Sequence, residues 1–232
     1  MITMAMWWAI GMNELLFVAS ILFISSSALV ALRLGREVLI ALVCVQWILA
    51  NLLVTQQITL LGLNATSSDA LAVGAMLCLN LIQEYFGKAL ARKTIFIGFG
   101  TTLFYAIITL VHVTYTPSPF DTMHSCFYMI LAPMPRLLAA SMITYLVVEL
   151  CNYKLYALLS SQKVPLSFTL RNYIATGTSQ LLDTVLFSFL GLYGRVDSLW
   201  SIILVSYTIK LAVIMLATPF ISLSRYITID RL

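Results

Sequence analysis

Residues 15–32 contain no charged side chain, and predominantly apolar runs recur along the chain at 38–61, 70–86, 94–113, 136–159, 173–193 and 199–223. A helix needs about 20 apolar residues to cross the hydrocarbon core of a bilayer. A backbone inside that core must satisfy its own N–H and C=O groups, which a helix does without help. The runs therefore predict an all-α, polytopic membrane bundle of about seven transmembrane helices. Pro133 and Pro135 interrupt the apolar stretch that opens at Phe127, which places the start of the fifth span near Arg136. On this reading the chain is one integral membrane domain: an amino-terminal segment 1–14, a bundle 15–223 and a cytoplasmic tail 224–232.

Composition agrees, since 61% of the 232 residues are hydrophobic and 9% are charged, against roughly a quarter charged in a soluble domain. A net charge of +4 does not point to nucleic acid, because the basic residues lie in short clusters between apolar runs and form no basic face. They report topology instead. Assigning loops alternately to two sides collects Arg33, Arg36, Lys88, Arg92, Lys93, Lys154, Lys163, Arg171, Arg225 and Arg231 on one side and Arg195 on the other. Arg136 falls at the outer end of a span and Lys210 inside the last helix. The positive-inside rule then sets the amino end outside and the carboxyl end in the cytoplasm, in the cell inner membrane. The amino end has no basic residue before Arg33 and no small-residue cleavage site, so the first run is expected to stay as a helix. No loop is long enough to hold an ATPase, which leaves an external energy source or the gradient itself.

Within the apolar runs, polar residues repeat a spacing. The stretch N-L-I-Q-E-Y-F-G-K-A-L-A-R-K at 80–93 sets Asn80, Gln83 and Glu84 on one helical face, lets the helix end at Gly87 and closes on basic residues. Gln180 and Asp183, with Thr184, repeat the amide and carboxylate spacing in the sixth run, and Tyr145, Glu149 and Asn152 share one face of the fifth. Polar groups in hydrocarbon must find each other, a ligand or a water-filled cavity. These helices are therefore expected to converge, with Lys210 as counter-charge. Carboxylates accept from paired N–H groups and amides donate and accept, a set suited to the edge of a flat, purine-like heterocycle. Trp47, Tyr85, Phe86, Tyr145 and Tyr173 are candidate stacking faces, although such aromatics near helix ends are commonly interfacial anchors. The alternative is an interhelical network that only holds the bundle together.

Chemistry of other kinds is poorly represented. His112 and His124 stand twelve residues apart with no carboxylate motif between them, and Cys44, Cys78, Cys126 and Cys151 show no metal spacing. No G-x-S-x-G elbow or Ser/His pairing occurs. The expectation is a non-enzyme without metal or cofactor.

The 80–93 stretch resembles the signature of the queuosine precursor transporters: an acidic residue, an aromatic, Gly and then a basic Ala-Arg run. The similarity continues through Asn51 with the Leu61-Gly62 that follows, A-S-M-I-T-Y-L-V-V-E-L-C-N from Ala140, S-Q-L-L-D-T from Ser179, Lys210, and the opening M-N-E-L-L-F from Met12. The resemblance implies a cytoplasmic-membrane importer of 7-deazaguanine bases, such as queuine or its biosynthetic precursors, without an ATPase of its own. Its substrate would be held by Asn51, Asn80, Gln83, Glu84, Glu149, Asn152, Gln180, Asp183 and Lys210. The partners implied are a small heterocyclic solute and membrane lipid, with no nucleic acid. It also implies translation from Met12. The competing function is a substrate-binding membrane subunit that docks on separate ATPase modules; no clear exposed Ala-x-x-x-Ala docking motif supports it.

Overall fold

Helices form along every apolar run, and their lengths are set by glycines, prolines and one polar break. The structure is a computed structural model describing residues 2–131, 134–160, 166–194 and 199–227, with side chains from Gly11 onward except at 134 and 135. Lys163, Arg195 and Arg231, used above to assign sides, and Pro133 lie outside the described residues. The order is α1 (Ile2–Leu34), α2 (Arg36–Leu53), β1 (Gln57–Leu60), β2 (Leu63–Thr66), α3 (Asp69–Tyr85), α4 (Lys88–Thr114), α5 (His124–Leu131), α6 (Met134–Leu159), α7 (Phe168–Phe187) and α8 (Leu199–Ile221). A π segment, Ser188–Leu192, continues α7, and a 3-10 turn, Ser222–Tyr226, continues α8.

Three boundaries correct the sequence reading. The second span does not reach Leu61: α2 stops at Leu53, and Gln57–Leu60 pairs antiparallel with Leu63–Thr66 in a hairpin. Thr55, Gln56 and Gln57 break the apolar run there. Leu61 (φ 50) and Gly62 (φ 79) make the tight left-handed turn whose twist suits two strands. Leu rarely adopts that conformation. It is held because its N–H donates to Glu14 Oε1 at 2.6 Å, while Asn13 donates to the Thr59 carbonyl at 3.1 Å. The basic run after Gly87 (φ 91) is not a loop either, since α4 begins at Lys88 and carries Lys88, Arg92 and Lys93 exposed in its first turns. Finally, α7 opens at Phe168, so Arg171 belongs to a helix. The other expected runs lie on helices, α1 extends back to Ile2, and a short helix that the sequence reading did not expect, α5, precedes the prolines.

Among the described residues, five helical stretches, Gly11–Leu34, Arg36–Leu53, Lys88–Thr114, Arg136–Leu159 and Leu199–Tyr226, are long and apolar enough to cross a membrane. They present large side chains outward, among them Phe23 (74% exposed) and Phe104 (67%), a surface that water would not tolerate and acyl chains would. The other two long helices, α3 and α7, are the polar ones. α3 is enclosed, with Val73, Ala75, Met76, Cys78, Leu81 and Ile82 all inaccessible. Lipid is as apolar as Leu, so close backbone approach and interhelical hydrogen bonds hold such a bundle. Gly74 shows the first device: a Cβ there would overlap Ile24 of α1 and the Gln46 amide of α2.

A candidate substrate cavity and a polar column

A cavity of about 470 Å³ lies between α2, the hairpin, the start of α3, the first half of α6, the end of α7 and α8. Its charges are Asp69, Asp183 and Lys210. Lys210 enters from an otherwise apolar helix and donates to Asp183 Oδ2 at 2.5 Å, with Asp69 Oδ1 3.9 Å away. Two carboxylates thus share one amine. The second oxygen of Asp69, the indole N–H of Trp47 and the hydroxyl of Thr144 also belong to this wall, and each is buried without a hydrogen-bond partner. The wall therefore holds unused acceptor and donor capacity, which a buried site gives up only to a ligand or water. Trp47 is steadied by edge-on packing against Tyr145, with ring centroids 4.6 Å apart.

Below the cavity, α3, α6 and α7 face one another with polar residues along their length. Asn80 gives its two amide hydrogens to Asn172 Oδ1 (3.0 Å) and Thr176 Oγ1 (3.1 Å) and accepts from Asn152 Nδ2 (2.9 Å). This knot is fully buried and internally satisfied, the arrangement in which interior amides act as glue. At the far end, about 20 Å along α3 from Asp69, Glu84 receives both guanidinium nitrogens of Arg171 at 2.8 and 3.0 Å and the Tyr156 hydroxyl at 3.0 Å. Arg171 also donates to Ser160 Oγ at 2.8 Å.

The residues singled out in the sequence are thus divided among levels. Asn51, Asp183 and Lys210 line the cavity. Asn80 and Asn152 lie in the amide knot, Gln83 donates to the Tyr153 carbonyl at 3.1 Å, and Gln180 Nε2 sits 3.8 Å from the Met76 sulfur. Glu84 is matched with Arg171 and not with Lys210. Glu149 is buried between levels with no partner for either oxygen. Of the aromatics, Trp47 reaches the cavity wall. Tyr145 donates to the Ile95 carbonyl, Tyr173 to the Met215 carbonyl, and Tyr85 bonds Ser224. Asp69 was not among the sequence candidates. Its signal was Ser-Ser-Asp at 67–69, a polar helix opening directly before an apolar run.

A family model described as "Putative vitamin uptake transporter" matches residues 70–224. The chain belongs to the vitamin uptake transporter family. The matched residues carry the amide knot, the Glu84–Arg171 pair, Asp183 and Lys210, whereas Trp47, Asn51 and the hairpin side of the cavity precede them. Among curated proteins, the "Probable queuosine precursor transporter" of Bacillus subtilis (strain 168) is 28% identical over 179 residues, 74% of this chain and 76% of that protein. The resemblance to queuosine precursor transporters read from the 80–93 motif holds. No solved structure matches this member of the vitamin uptake transporter family. With its apolar helices, family membership makes the chain a multi-pass membrane protein and a transporter.

Proposed function

We propose that this protein imports a 7-deazaguanine queuosine precursor across the cytoplasmic membrane by secondary or facilitated transport. The observation that carries this reading is the cavity wall, with unpartnered polar atoms on Asp69, Trp47 and Thr144 beside the Asp183–Lys210 pair. A carboxylate accepts from the paired N–H groups on the edge of a flat heterocycle, an indole offers a stacking face and a donor, and Asn51 supplies an adaptable amide. A cavity of about 470 Å³ has the size of an ordinary small-molecule site.

In this proposal seven helices cross the bilayer, with α3 and α7 as the polar interior pair. The positive clusters near Arg33, Lys88 and Arg171 face the cytoplasm, so the cavity belongs to the outer half and the Glu84–Arg171 pair to the inner half. Asn51, Asp69, Asp183 and Lys210 contact the solute. Asn80, Asn152 and Glu84 close the route beneath it, and Gln83 and Gln180 flank that closure. Alternating access requires this closure to open and the cavity to close in turn. The test is uptake of labelled queuine by cells lacking their own transporter, with and without ATP depletion under a maintained proton gradient. Uptake that survives ATP loss is expected. Uptake abolished by ATP loss despite the gradient would contradict the secondary mechanism.

A further inference from the structure

Glu149 is 1% exposed, and both its carboxyl oxygens are buried without a hydrogen-bond partner. By contrast, Asp183 and Asp69 have Lys210 as their cation, and Glu84 has Arg171. A carboxylate with neither donor nor cation is poorly solvated in such surroundings, so this site holds a carboxyl group with no fixed partner. Its position gives that group a use. Ser141 and Thr144, one to two turns earlier on α6, line the cavity, and Asn152, three residues later, is tied into the amide knot. Glu149 therefore lies between the solute site and the closure beneath it. Gln180 of α7, itself buried with an unpartnered Oε1, lies one turn from Asp183 toward the same knot.

The groups on neighbouring elements are these. α7 brings Asp183 and Arg171; α3 brings Asp69, Cys78 and Glu84; α4 brings the half-buried Tyr105, with Lys88, Arg92, Lys93 and His112 exposed at its ends; α2 brings Cys44; and the π segment brings none. On α6 itself Tyr145 is one turn away and donates elsewhere, to the Ile95 carbonyl.

We propose that Glu149 is a proton-carrying site and that import is proton-coupled, a reading that rests on the transport function proposed above. A proton from water on the cavity side binds a carboxyl oxygen of Glu149, and after the closure rearranges the same proton leaves to water on the Arg171 side. The gradient supplies the driving force, and no bond other than O–H forms or breaks. The empty carrier then returns without the proton, which leaves one proton inside for each solute; a return with the proton still bound would move solute with no net proton and lose the coupling.

The test uses full-length protein in liposomes with the membrane potential clamped by potassium and valinomycin, tritiated queuine as probe, and trapped pyranine to read lumenal pH. With an inward proton gradient of one pH unit, the wild type is expected to accumulate queuine about tenfold, the ratio one coupled proton supports, and to acidify the lumen when queuine is added. Glu149→Gln, which imitates the uncharged acid, should lose accumulation and acidification but retain exchange of labelled for unlabelled queuine. Glu149→Asp should keep accumulation. Accumulation by Glu149→Gln equal to wild type, or wild-type transport without proton movement, would overturn the proposal. Absence of both transport and exchange in the wild type would overturn the transport reading and this inference with it. Exchange by Glu149→Gln also reports that the variant is folded.

Discussion

Lys210 is an ammonium set in a helix otherwise fit for lipid, and only its two aspartates make that position tolerable. Lys210→Met is expected to destabilise the protein by about 3–5 kcal/mol, because it leaves two carboxyl groups facing each other. Adding Asp183→Asn should restore much of the thermal stability without restoring uptake. Asp183→Asn alone should lower uptake at least tenfold while the protein still folds and inserts, since the amide keeps the shape but not the pure acceptor. Melting temperature and uptake measured across the three variants separate the two roles through their coupling. Glu84 behaves differently. Glu84→Gln removes the partner of Arg171 and should lower the melting temperature, and Glu84→Gln with Arg171→Met should recover it. Recovery in a double mutant with Lys210→Met instead would contradict the pairing.

At the scale of elements, α3 is held by closeness. Gly74→Ala should cost about 1–3 kcal/mol, the usual range for overpacking, because the added methyl meets Ile24 and the Gln46 amide. A melting temperature in detergent equal to wild type would show that α1 and α2 yield there. The helices were legible in the sequence because a predominantly apolar run of bilayer length has few other solutions. Lys210 was legible as a counter-charge to the interior carboxylates, as charges in hydrocarbon seeking each other, but not which of them it meets: Asp183 and Asp69 take it, and Glu84 does not. The hairpin was not, because an apolar run crossing Thr55 to Leu60 reads as helix unless the turn at Leu61 and Gly62 is known to be anchored by Glu14. The division of the polar residues into levels was hidden too. Face periodicity gives direction around a helix, while height depends on how α3 and α7 slide past each other, so Glu84 met Arg171 and Asp69 completed the cavity cluster.

For the whole molecule, orientation decides what the cavity can do. With native cysteines replaced, Ser118→Cys should react with an impermeant maleimide in intact cells, and Lys93→Cys should react only after permeabilisation. The reverse pattern would invert the bundle and make the cavity face the cytoplasm. The central claim is narrower: the Asp69–Asp183–Lys210 cavity carries a queuosine precursor inward. It is tested most directly by measuring queuosine in the tRNA of a precursor-auxotrophic, transporter-less cell fed one precursor at a time, expressing either the wild type or Asp183→Asn at matched membrane levels. The account predicts queuosine with the wild type for at least one fed precursor and its loss with Asp183→Asn. Queuosine at wild-type levels in the variant, or none with the wild type for any precursor, would contradict it.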